Sequence, residues 1–229
     1  MLGTVVLLAQ VVTPQCDSTS TSPASPSPST GTSSAPTATA SNVAPLVVNA
    51  GPVNEGLNVA YASVTVCVPG TTNCQTIGGI LVDTGSEGLR IASSVLTLPL
   101  PQQNTAAGAP VVECLPFIGS VTWGPVVTAD VKIAGEQASG IPMQVIGLDK
   151  FPTVPSACSS QGDLSETPTA LAANGILGIG LGNHDCGNVC ATVGASNPGV
   201  YYACPTPATC QITAEDRKST RLNSSHVSE

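Results

Sequence analysis

Asp83 is the residue of this sequence best placed to do chemistry. It closes the apolar run Gly79-Ile80-Leu81-Val82 and is followed at once by Thr84-Gly85-Ser86. An apolar run that stops at small and hydroxylated residues predicts a buried strand entering a tight turn. Gly85 lets the backbone fold closely around its neighbour, and Thr84 and Gly85 offer hydroxyl and N–H donors. A carboxylate shown at the end of a rigid element, with donors around it, is fitted for use as a proton acceptor or donor.

The elements that must position it read as strands. Val59 to Val68 alternates, with Val59, Tyr61, Ser63, Thr65 and Cys67 on one face and Ala60, Ala62, Val64, Val66 and Val68 on the other. Pro69 to Asn73 predicts a turn that returns the chain as Gln75 to Val82, so the second arm of a hairpin carries Asp83. Leu46-Val47-Val48 predicts a shorter strand ahead of it, ended by Gly51-Pro52. Beyond the motif, Glu87 to Leu98 reads as a loop or short helix. Val111 to Ile118, Val121 to Trp123 and Val126 to Ile133 read as short strands, with a turn at Gly119-Ser120 or Gly124-Pro125. Ile141 to Ile146 is a further strand, Phe151 to Thr169 a loop, and Leu171 to Asn174 a helical turn. Gly175 to Gly182 is an apolar strand punctuated by glycine, followed by a Cys-rich loop region with Tyr201-Tyr202.

Composition agrees with an all-β chain. Of 229 residues 41% are apolar but only 3% aromatic, and Val, Thr, Gly and Pro are frequent while long amphipathic runs are missing. A net charge of −8, with no Lys or Arg before Arg90, argues against nucleic acid and anionic membrane surfaces as partners. Nine cysteines in so lightly charged a chain predict an oxidising compartment. Cys16 stands alone. The others pair by proximity as Cys67/Cys74, Cys114/Cys158, Cys186/Cys190 and Cys204/Cys210, one of about 105 pairings, with each bridge contributing about 2–4 kcal/mol.

Residues 1–16 hold a short apolar run that reads as a truncated export signal lacking its basic start, with Cys16 a candidate lipid anchor. Residues 17–44 are Ser, Thr, Pro and Ala and predict a disordered linker. The folded lobe spans 45–216, with a Cys-rich end. At 217–229 the character changes: Arg217, Lys218 and Arg221 are three of the six basic residues, and the string Arg217 to His226 resembles translated sequencing-adapter read-through. The natural protein is therefore expected to continue differently past Asp216. The expected location is outside the cytoplasm: periplasmic, on the outer membrane as a lipoprotein, or extracellular.

Taken together, Ile80-Leu81-Val82-Asp83-Thr84-Gly85-Ser86-Glu87-Gly88-Leu89 resembles the catalytic loop of pepsin-like aspartic proteases. Gly175-Ile176-Leu177-Gly178-Ile179-Gly180 is similar to the strand that crosses beneath that aspartate, where glycine allows close backbone approach. Ile118 to Gly135 is similar to the flap hairpin and the strand leaving it. The stretch from Ala44 to Gly182 thus resembles one N-terminal lobe, the first half of a two-lobed β-barrel protein. The segments Val64-Thr65-Val66-Cys67-Val68-Pro69-Gly70 and Thr122-Trp123-Gly124-Pro125 also look like an uncharacterised family of exported bacterial proteins of unknown function. The protease resemblance implies peptide hydrolysis by two carboxylates sharing one proton, with no cofactor and no metal. Asp83 would be one of them, Gly85 N–H and the Ser86 hydroxyl its donors, and Thr84 the residue locking the loop. A peptide or protein substrate would lie extended under the hairpin.

This sequence departs from that pattern. The hairpin lacks the family's Tyr, which leaves Phe117 or Trp123 to cover the cleft, and Arg90 stands where Trp is usual. No second Asp-Thr-Gly or Asp-Ser-Gly is present, and Asp130, Asp149 and Asp163 lack the context. The partner aspartate would come from a C-terminal lobe or a second chain, and the fragment alone is expected to be inactive. The competing reading is an exported binding or surface-structural protein on the same fold. His184, Asp185, Cys186 and Cys190 read as disulfide-bearing loop rather than metal site. Gly178 to Gly182 lacks the βαβ setting of a dinucleotide loop, and no nucleophile elbow is present.

Overall fold

The hairpin expected to deliver Asp83 forms in the computed structural model, which describes residues 43–182, 184 and 186–215. The expected export signal, Cys16, the tail, and the linker apart from Val43 and Ala44 lie outside the described residues. After the edge strand β1 (Val47–Asn49), β2 (Val59–Cys67) pairs antiparallel with β3 (Cys74–Asp83). Cys67 faces Cys74 across the pair and is bonded to it, so the disulfide closes the hairpin at its turn. The predicted alternation is interrupted by a bulge between Ala62 and Val64. As a result Tyr61 and Ala62 are both buried, and Val64 and Val66 are buried with them.

The chain then continues as β4 (Glu87–Ala92), a 3-10 turn at Ser93–Val95, β5 (Val111–Phe117), β6 (Ser120–Ile133) and β7 (Glu136–Ile146). A short helix α1 (Ser156–Ser159), the two-residue β8 (Asp163–Leu164) and a second short helix α2 (Pro168–Leu171) lead to β9 (Gly175–Ile179). The strands β10 (Tyr201–Thr206) and β11 (Thr209–Ile212) follow.

Six of these strands close a barrel in the order β2-β3-β9-β4-β7-β6, with β6 pairing back onto β2. The β3–β9 and β4–β7 pairs are parallel and the others antiparallel. The chain is thus mostly β. The barrel interior is filled by aliphatic residues, among them Val64, Val66, Ile80, Leu89, Ile91 and Ala129. Burying each Val, Leu or Ile fully contributes about 1.5–3 kcal/mol.

Two expected boundaries are corrected. Glu87 to Leu98 is not a loop or helix at its start: it opens as a strand with both edges paired, to β9 and to β7. Gly88 through Ala92 are all buried, so no polar alternation marked the strand. Gly124-Pro125 is not a turn either. β6 runs straight through it for 14 residues, its first part paired with β5 and its second with β7. The glycine is there because a Cβ would strike the Val145 carbonyl, and the turn falls at Ile118-Gly119, within a residue of the other expected position, Gly119-Ser120. The region after Gly182, expected to be loop, contributes β10 and β11 as an antiparallel extension of β5.

All four predicted disulfides are present. Cys114–Cys158 ties α1 to β5, and Cys204–Cys210 ties β10 to β11. At the Cys67–Cys74 end of the barrel, Asp130 accepts hydrogen bonds from Gly70 N–H at 2.9 Å and Gly140 N–H at 2.7 Å. One carboxylate thereby holds the β2–β3 turn against the β6–β7 hairpin. Replacing Asp130 with Ala leaves both N–H groups without that acceptor and is expected to lower unfolding free energy by about 1–3 kcal/mol. Urea denaturation of the oxidised protein checks this, and an unchanged midpoint would contradict the assigned role.

Candidate functional site

Strand β9 sits between β3 and β4, so the loop joining those two strands must cross over it. Asp83 is in register with Gly178 on one side of β9, and Gly88 is in register with Gly178 on the other. A Cβ on Gly178 would lie 2.6 Å from Ser86 C, Ser86 O and Glu87 C. Only glycine allows the loop to pass so close. Gly180 N–H donates to Ser86 O at 2.8 Å, and Gly182 N–H to Glu87 Oε1 at 3.1 Å. The glycine spacing of Gly178, Gly180 and Gly182 is therefore a seat for the Ser86–Glu87 segment.

Within this crossing Asp83 is held at both oxygens. Gly85 N–H donates to Oδ1 at 2.9 Å and the Ser86 hydroxyl to Oδ2 at 2.6 Å. Asp83 and Ser86 are half-buried, while Thr84 and Gly85 are exposed. A carboxylate oxygen has two lone-pair sites, so each retains capacity for a water or a substrate group.

Asp83 opens into a cleft of about 670 Å³. The floor is Leu81, Asp83, Gly85, Ser86, Glu87 and Ile176, and the facing wall is the tip of the β5–β6 hairpin, from Leu115 to Ile118 with Ser120. Ser165, Ala170 and Leu171 line it from the segment around α2. That helix lies three residues ahead of the expected one. Thr167 caps it by accepting from Ala170 N–H, Pro168 occupies the first turn, and Ala172 ends it in the left-handed region.

The sequence-chosen residues divide accordingly. Asp83, Gly85, Ser86 and Phe117 come together in the cleft, with Thr84 between them on the loop. Trp123 does not belong to it. Its ring is fully buried under the hairpin, edge-on to Tyr202 at 5.2 Å between centroids, and its indole N–H donates to Phe151 O at 2.9 Å. The reason is strand parity together with the disulfide-linked layer beneath, which offers Trp123 an apolar seat beside Cys114 and Cys158. Cys186 and Cys190 are bonded to each other, so neither serves as a thiolate ligand; Asp185 lies outside the described residues.

Glu87, the carboxylate next to the motif, lines the cleft and was not singled out by sequence reasoning. Its position directly after Ser86 was the available signal. Leu171 and Ile176 were also missed as lining residues, because nothing local links them to Asp83.

A further carboxylate is perturbed outside the cleft, next in the chain to the lining residue Ser165. Glu166, next to Ser165, is half-buried and its Oε1 is enclosed without a hydrogen-bond partner. Burial, and then the nearby Asp149 carboxylate, push its pKa from 4.5 up to about 7. At low pH Glu166 is protonated both folded and unfolded. Between 4.5 and about 7 the unfolded chain has released the proton while the folded one retains it, so stability falls as pH rises through that window. Glu166→Gln is expected to flatten this part of the melting-temperature profile relative to wild type. Parallel profiles for the two proteins would contradict the assignment. In the same way Gly178→Ala must push the Ser86–Glu87 backbone away, with an expected loss of about 1–3 kcal/mol in urea unfolding.

The family described as "Protein of unknown function (DUF3443)" matches residues 38–223, most of the chain. No curated protein matches it.

Proposed function

We propose, for this chain that belongs to the DUF3443 family of unknown function, a hydrolytic role on a pepsin-like fold: Asp83 is one half of a two-carboxylate site that cleaves peptide bonds. The observation that carries this reading is the setting of Asp83, held at both oxygens by Gly85 N–H and the Ser86 hydroxyl, on the floor of a cleft roofed by a hairpin. The glycine-dependent passage of β9 beneath the loop supports it further.

In this reading the two donors fix the plane of the Asp83 carboxylate, which leaves lone pairs directed at a bound water. One carboxylate of the pair takes a proton from that water while the other gives its proton to the scissile carbonyl oxygen. The second carboxylate is supplied by a further lobe or a second chain, because these 229 residues hold no second Asp-Thr-Gly or Asp-Ser-Gly. Substrate lies extended along the cleft, its side chains against Leu81, Phe117, Leu171 and Ile176. Phe117 takes the covering role that the hairpin's missing Tyr leaves open. The protein works outside the reducing cytoplasm, where its four disulfides are kept.

A second reading is favoured by one observation. The hairpin has no tyrosine, and Tyr61, Tyr201 and Tyr202 are all buried elsewhere. A cleft that kept its shape and lost its chemistry would serve an exported binding or surface-structural protein. The protein, in the presence of the lobe or second chain proposed to supply the other carboxylate, incubated with a library of unstructured peptides in mildly acidic buffer and followed by mass spectrometry, separates the two. Cleavage is expected, and Asp83→Asn is expected to reduce it by about 10²–10⁴-fold or more. Cleavage that survives Asp83→Asn removes Asp83 as catalyst. Peptide retention without cleavage establishes the binding reading instead.

A further inference from the structure

The most deeply buried charges among the described residues are not in the cleft. Arg90 and Glu113 meet at 2.8 Å with their side chains only 2% and 4% exposed. Arg90 lies on β4, three residues past Glu87, and its other terminal nitrogen donates to the Glu87 carbonyl at 2.5 Å. Glu113 lies on β5, the outer strand of the hairpin. The bridge therefore runs from the backbone of the Asp83 loop, through one guanidinium, to the strand that carries Leu115, Pro116 and Phe117 over the cleft.

The network continues on the far side of Glu113. Gln144 on β7, in register with Arg90, donates from Nε2 to the Glu113 carbonyl at 2.9 Å. Its Oε1 accepts from the Thr122 hydroxyl on β6 at 2.9 Å. Both strands of the hairpin are thus held to the barrel by buried polar contacts at one level. β5 needs them, because its only strand partners among the described residues are β6 and β10, neither of which touches the Asp83 loop by pairing.

A buried ion pair need not stabilise a fold more than apolar side chains of the same volume would, and its better attested use is to specify one arrangement. We propose that the Arg90–Glu113 bridge sets the position of the β5–β6 hairpin over the Asp83 loop, so that Arg90 and Glu113 are positioning residues of the cleft. Loop and hairpin then move as one unit, and a disturbance at either is felt at the other. This rests on the cleft's geometry and stands whether or not Asp83 hydrolyses anything.

Amide hydrogen exchange of the full oxidised chain, read by mass spectrometry, tests the coupling without an activity assay. The apolar double variant Arg90→Met/Glu113→Leu keeps volume at both positions. Exchange is expected to rise about tenfold over 84–88 and over 115–121 together, while 59–67 in the barrel exchanges as in wild type. Wild-type exchange in both segments, or a rise confined to one, overturns the proposal. If the double variant does not fold, Glu113→Gln, which keeps the shape and removes the charge, is read in the same three segments. A paired rise at the two ends of the bridge supports the coupling. An equal rise in 59–67 shows a merely structural pair and overturns it.

Discussion

The passage of β9 under the Asp83 loop is the constraint on which the rest depends. Strands β3 and β4 are consecutive in the chain, yet β9 lies between them and pairs with both. The connecting loop must therefore be short, must cross a strand, and must do so within van der Waals contact of its backbone. Gly178 makes that contact possible at the Ser86–Glu87 end, and Gly175 does the same against the Arg90 carbonyl. A loop pressed onto a strand in this way has little freedom left. Asp83 stands at the end of β3 where the crossing begins, and its two donors come from the crossing itself.

A second level of organisation is polar and buried. Arg90, Glu113, Gln144 and Thr122 are enclosed near the base of the hairpin, and Asp130 is enclosed at the hairpin turns. Each is matched to a partner: Arg90 to Glu113 and the Glu87 carbonyl, Gln144 to Thr122 and the Glu113 carbonyl, Asp130 to two backbone N–H groups. Apolar packing in the barrel is tolerant of small slips, whereas these contacts are directional and fail when geometry shifts. They are what a six-stranded barrel with an attached hairpin requires to present one cleft rather than several. The continuous β6 adds to this, since the hairpin's inner strand is also a wall of the barrel.

Much of the local structure was legible. The Cys67/Cys74 pair follows from a Pro-Gly turn between alternating runs, and Asp83 from an apolar run ending in Thr-Gly-Ser. The glycine spacing at Gly178 signalled close backbone approach, which is what it provides. The failures share one cause. β4 was unreadable because both its edges and both its faces are covered, which removes the alternation that marks a half-exposed strand. Gly124 mimicked a turn because glycine serves close approach as readily as tight turning. Trp123 looked available to the cleft from its place in the hairpin, but its parity points it into the layer closed by Cys114–Cys158.

The sequence by itself determined a mostly β chain with a carboxylate mounted on a strand-to-turn junction and the Cys67/Cys74 bridge across a tight turn, because each depends on neighbours in the chain or on composition. Tertiary structure alone decided that β9 would separate β3 from β4, that Glu87, Leu171 and Ile176 would face the cleft with Phe117 while Trp123 would not, and that Arg90 would be spent on Glu113. Those outcomes depend on pairings between segments far apart in the chain, whose register follows from burial and hydrogen-bond completion over the whole barrel.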